Sequence, residues 1–76
     1  MPVNVTDPCR LRAAREAVGL RRETVADRLG ISHSAVFAYE SGRADPSARV
    51  LVALARLYRV AVEELCTAGD LPAGAA

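Results

Sequence analysis

Apolar residues recur along this chain at three- and four-residue intervals, in short bursts broken by glycine or proline, and this predicts short amphipathic helices. Leu11, Ala14, Ala17 and Val18 form a first stripe, with Thr6 or Asp7 as cap, Pro8 at the first helical position and Gly19 near the stop. Val25, Ala26 and Leu29 predict a second helix over about residues 22–29. After Gly30 the apolar face resumes at Ile31, Val36 and Tyr39, in a third helix over about residues 33–40 with Ser32 as its N-cap. Residues 41–46 read as turn and loop, and Pro46 falls just before or at the start of a fourth helix that continues to about Tyr58. Leu51, Leu54, Ala55 and Tyr58 are its inward set. A short last helix over about residues 62–66 carries Val62 and Leu65. The expected architecture is all-α, a compact five-helix bundle. Residues 1–6 read as a flexible arm, 7–66 as the folded domain, and 67–76, small residues with Pro and Gly, as a disordered tail.

Composition narrows the class without naming a function. Seventy-six residues make one small domain, and with only three Phe or Tyr the core must come from Leu, Val, Ala and Ile. No apolar run reaches the roughly 18 residues of a membrane span. The first residues lack the charged-then-apolar build of a secretory signal, so the cytoplasm is the default location. Net charge is only +1, and all ten basic residues are arginine, a bias that a GC-rich genome explains as well as guanidinium chemistry does. Any basic surface must therefore come from folding arginines onto one side. Cys9 and Cys66 lie far apart without a second pair, so zinc-ligand spacing is missing. They read as reduced, partly buried small hydrophobes, with a disulfide or redox switch the less favoured alternative in a cytosolic chain.

Chemistry concentrates in residues 22–42. Two short helices meet through Gly30, which can take the positive φ of a tight turn, and Ala26 is small where a second helix must cross closely. This is the helix-turn-helix layout, whose second helix enters the major groove of DNA. With Val36 and Tyr39 turned inward, His33, Ser34, Phe37 and Ala38 become candidate base-contacting residues. A histidine ring can donate to guanine N7 or O6, serine discriminates weakly, and an exposed Phe can rest against a thymine methyl. Phe37 can instead fold back onto Arg22 or the second helix. His33 has no nucleophile, carboxylate pair or second ligand at useful spacing, so no enzyme active site, metal site or cofactor is expected. The fourth helix carries a second apolar set, Val50, Ala53 and Leu57, which implies a dimer interface unless the last helix and tail cover it.

The series Leu11-x3-Arg15-x3-Gly19-Leu20, Val25-Ala26-x2-Leu29-Gly30-Ile31-Ser32 and Val36-x2-Tyr39-Glu40-x-Gly42-x3-Pro46-Ser47 continues as Leu51-x2-Leu54-Ala55-x2-Tyr58-x-Val60-x-Val62-x2-Leu65. It resembles the phage repressor and Cro-like helix-turn-helix domains, the xenobiotic response element family. The resemblance implies a five-helix domain that binds palindromic operators as a homodimer through its last two helices. It implies a buried salt bridge between Arg15 and Glu40, and phosphate contacts from Arg22, Ser41 and Arg43, where the loop after the third helix follows the DNA backbone. Arg21 and Arg22 depart from the family's Thr or Ser followed by Gln. The lost cap costs about 1 kcal/mol, and cations there oppose the helix dipole. A nearby phosphate would account for both residues; tolerated surface arginines are the plainer account. Ala61 stands where the family often has Ser. The function implied is sequence-specific binding of double-stranded DNA by a transcriptional regulator, a repressor acting by steric occlusion. The alternative is an antitoxin or anti-repressor module that uses the same fold to hold a protein partner such as a toxin.

Overall fold

Three of the four α-helices start at a side-chain cap. The computed structural model describes residues 5–67. The first helix, α1 (Pro8–Ala17), starts where the Asp7 carboxylate accepts the N–H groups of Cys9 at 2.9 Å and Arg10 at 3.4 Å. The second, α2 (Arg22–Leu29), follows Arg21, whose side chain makes no capping hydrogen bond. It ends at Gly30 with φ 68°, and the Ile31 N–H donates back to the Ala26 carbonyl at 3.0 Å. A Cβ on Gly30 would meet nothing within 4 Å, so the left-handed backbone, not space, calls for glycine. Ser32 Oγ accepts the Ala35 N–H at 3.0 Å and starts α3 (His33–Ser41). Ser47 caps α4 (Ala48–Tyr58) in the same way through the Val50 N–H, at 3.3 Å.

The fifth helix is a correction. Val62–Leu65 form one turn of 3-10 helix, so the described residues hold four α-helices and this turn. Glu64 donates its N–H to the Ala61 carbonyl at 3.0 Å and Cys66 to that of Glu63 at 3.2 Å, the three-residue spacing of a 3-10 turn. Four residues are too few for a stable α-helical nucleus. Ala61 has no side-chain acceptor, and its own N–H donates to Glu64 Oε2 at 2.9 Å.

Leu11, Val25, Ala26, Val36, Leu51, Leu54, Ala55, Tyr58 and Leu65 pack into one core, with Tyr39 half-buried against it. Tyr58 is buried, which pushes its hydroxyl up to about 12, aided by the nearby Glu40 carboxylate and opposed by Arg15, so it stays neutral at physiological pH. Cys9 is exposed and Cys66 buried, both as free thiols. No helix among the described residues is long and apolar enough to cross a membrane.

The arm and tail assignments also need correction at their inner ends. Thr6 is buried, and it pairs with Cys66 as an isolated antiparallel bridge. The Asp7 N–H donates to the Leu65 carbonyl at 2.9 Å and the Thr67 N–H to that of Val5 at 2.8 Å. Asp45, in the loop before α4, accepts from the Val5 N–H at 3.0 Å, the Thr6 N–H at 3.2 Å and the Thr6 hydroxyl at 2.6 Å. Residues 5, 6 and 67 therefore belong to the fold; the rest of the expected arm and tail, 1–4 and 68–76, lie outside the described residues.

Desolvation raises the pKa of Asp45, but these three hydrogen bonds outweigh it and hold the carboxyl below its ordinary value. A depressed carboxylate adds stability above its unfolded pKa of about 4, and that stability is lost as pH falls through the lower folded value. Asp45→Ala is expected to cost about 2 kcal/mol at neutral pH. The variant should also lose part of the acid sensitivity below about pH 4. Urea unfolding at pH 7 and pH 3 measures both.

Candidate nucleic-acid interface

The third helix is anchored from beneath by charge. Glu40 sits near its C-terminal end with its side chain 6% exposed, facing Arg15 of α1 at 9%. Arg15 Nε donates to Glu40 Oε2 at 2.6 Å and Nη2 to Oε1 at 3.1 Å, a two-pronged pair. The remaining prong, Nη1, donates to the Leu20 carbonyl at 2.8 Å. The hydrogen bond to Glu40 raises the Arg15 pKa against the opposing effect of burial. The pair thus ties α1 and the loop before α2 to the helix that presents the candidate base-reading residues.

Arg22 joins this pair from the surface side. Its Nε donates to Glu40 Oε1 at 3.2 Å, and its guanidinium carbon lies 5.5 Å from the centre of the Phe37 ring. One carboxylate therefore serves two guanidinium groups, and the triad keeps a net positive charge. Phe37 does lie against Arg22, yet it remains 49% exposed. Stacking on the cation holds the ring in one orientation without removing its outer face from solvent.

Arg22, Glu23, His33, Ser34, Phe37, Ala38 and Arg43 line one cleft of about 520 Å³ across the N-terminal ends of α2 and α3. All four residues proposed to touch bases share it, with two of the arginines proposed to grip phosphate. Arg21 and Ser41 are exposed but do not line it. Ser41 donates its hydroxyl to the Ala38 carbonyl at 3.3 Å. The Arg43 backbone N–H donates to the Ala38 carbonyl at 3.0 Å, which folds the loop against the end of α3. His33 Nε2 lies 3.3 Å from Asp27 Oδ1, so a carboxylate of α2 can orient the imidazole. Sequence reasoning missed Asp27 and Glu23. Both sit on the polar side of α2, and no spacing rule distinguishes them there from ordinary solvent-facing acids.

The α4 residues expected at a dimer interface divide. Val50 and Leu57 are half-buried and rest against the core, so part of the second apolar set is covered within the chain. Ala53 and Leu57 also reach a second groove, where Val52 is 41% exposed.

The chain matches the helix-turn-helix family over residues 11–65. It is 40% identical over 63 residues to an uncharacterised HTH-type transcriptional regulator of Bacillus subtilis, YobD, an alignment that takes in 83% of this chain and 56% of that protein. A second uncharacterised HTH-type transcriptional regulator, from Methanocaldococcus jannaschii, is 30% identical over 56 residues, 74% of this chain and 85% of the relative. This chain thus spans little more than half the Bacillus protein. The crystal structure of a transcriptional regulator from Listeria innocua superposes with a TM-score of 0.76 over 92% of this chain and 64% of the other, at 23% identity, a likeness of fold.

Proposed function

This chain belongs to the helix-turn-helix family of transcriptional regulators, of the xenobiotic response element type, and on that premise we propose that it recognises a specific double-stranded DNA sequence through the α2–α3 cleft. Regulators of this family bind DNA and are not enzymes. The observation that carries the reading is the gathering of His33, Ser34, Phe37 and Ala38 with Arg22 and Arg43 around one cleft. His33 and Ser34 stand in the first turn of α3, the part of a recognition helix that goes deepest into the major groove. His33 donates to a guanine edge, Phe37 meets a thymine methyl, and Ser34 and Ala38 fit the floor between them. Arg43, Ser41 and the Arg21–Arg22 pair flank this set and take phosphates, which fix register without carrying sequence information.

The finer reading is a cytoplasmic repressor. Two copies assemble as a homodimer on a palindromic operator, their recognition helices about 34 Å apart in successive major grooves. Occupying a promoter in this way blocks transcription.

Arg43 gives the cleanest test of the phosphate contacts, because its side chain makes no ion pair or hydrogen bond among the described residues. Arg43→Ala should reduce the log–log salt dependence of duplex binding by about 0.9 per protomer. Fluorescence anisotropy on a labelled duplex between low and moderate salt measures the slope, and an unchanged slope removes Arg43 from the contact set.

A further inference from the structure

A second groove runs between α2 and α4, and it shares no lining residue with the α2–α3 cleft. It is shallow and holds about 760 Å³ above a floor that includes Leu29, Val52, Ala53 and Leu57. Arg28, Arg49 and Arg56 line it as well, and no acidic residue does. None of these three arginine side chains makes an ion pair or hydrogen bond among the described residues. An apolar floor edged by unpaired cations is the complement of an amphipathic helix with an apolar stripe and acidic flanks.

A second copy of this chain is a poor occupant, so the homodimer proposed above would form through a face other than the groove that Ala53 and Leu57 line. It would set three arginines against three, and most of the acids that could neutralise them are engaged elsewhere. Asp7 pairs with Arg10, Glu16 with Arg12, and Glu40 with Arg15 and Arg22. Asp45 holds Thr6, Glu64 holds the Ala61 N–H, and Asp27 faces His33. Glu23 lies on the other cleft, which leaves Glu63 alone among the described acids without a partner or a place in either groove. We propose that the α2–α4 groove is a docking site for an acidic amphipathic helix of a different protein, seated on Val52 and Leu57 and held by Arg28, Arg49 and Arg56. From Ala48 to Leu57, α4 offers roughly 15 Å of length, enough for about three turns of such a helix. The groove lies away from the α2–α3 cleft, so the partner can be held while DNA is bound.

The test uses the full chain and three labelled 18-residue peptides followed by fluorescence anisotropy. One carries leucines at i, i+3, i+4 and i+7 on a glutamate and glutamine background, the second has lysine for every glutamate, and the third scrambles the first. The acidic striped peptide should bind saturably, one per protomer, and the other two should not. Arg49→Glu with Arg56→Glu should weaken the acidic peptide by about tenfold or more and admit the lysine peptide. Val52→Asp should abolish binding of both while circular dichroism stays unchanged. Equal binding of all three peptides, or no binding of the acidic one by a folded chain, overturns the proposal. So does sedimentation showing that the chain without DNA self-associates and that Val52→Asp separates the copies, because the groove would then hold a second copy.

Discussion

Glu40→Leu is expected to destabilise the domain by about 3–5 kcal/mol, because it leaves the buried Arg15 guanidinium with only the Leu20 carbonyl and the exposed Glu16 carboxylate at 3.9 Å. Arg22, whose side chain is 42% exposed, can turn to water when Glu40 is lost; Arg15, at 9%, cannot. Arg15→Met should cost less than Glu40→Leu, since Arg22 still holds the orphaned carboxylate at 3.2 Å. The double variant should be more stable than Glu40→Leu alone, because no buried charge then remains unpaired. A domain of this size has a total stability of only about 4–11 kcal/mol, so the single change at Glu40 can take most of it. Urea unfolding of the four chains closes the cycle. A double variant that loses the sum of the two singles would show that Arg15 and Glu40 do not act as a pair.

Phe37→Ala is the complementary case, with a large effect on recognition and a small one on stability. The ring is half-exposed, and its stack on Arg22 is worth about 0.5–1 kcal/mol at such a site. Losing a base contact costs about 1–3 kcal/mol, so duplex affinity should fall by about 5- to 150-fold. Preference at one thymine should relax at the same time. His33→Ala should act at a different base position, and the two losses should add if the contacts are independent. Binding and operator preference unchanged in both variants would exclude the outer face of α3 as the reading surface. Arg22→Ala differs from either, since Arg22 also bonds Glu40 and supports Phe37, and it should lower stability and affinity together.

Features set by local rules could be read in the sequence. The α2 boundaries, the Ser32 cap, the left-handed Gly30 and the inward Val25, Ala26 and Val36 depend on propensity, capping and period, and the structure places them accordingly. Glycine marks three helix stops, at 19, 30 and 42, but α4 stops at Arg59 with φ 61°, where nothing in the sequence signals a left-handed residue. The Asp45 latch was invisible for another reason. It joins residues about 40 positions apart in sequence through a loop carboxylate, and no periodicity encodes such a contact.

The cleft was legible in part. Subtracting the inward face of α3 left His33, Ser34, Phe37 and Ala38, and these four do share a surface with Arg22 and Arg43. The division of Arg22 between Glu40 and Phe37 was beyond the reach of spacing, since it depends on the angle between α2 and α3. The apolar excess of α4 was visible, but which residues stay open was not. Val50 turns to the core and Val52 to solvent.

The α2–α3 cleft is proposed to read one specific duplex sequence. Repeated selection of bound duplexes from a randomised double-stranded DNA pool, with the unaltered chain as bait, tests it most directly. One sequence with two inverted half-sites spaced by about one helical turn, 10–10.5 base pairs, should be enriched. That enrichment should be lost with the His33→Ala, Phe37→Ala double variant. Recovery of no common sequence from a folded chain, or of the same sequence with the double variant, would contradict it.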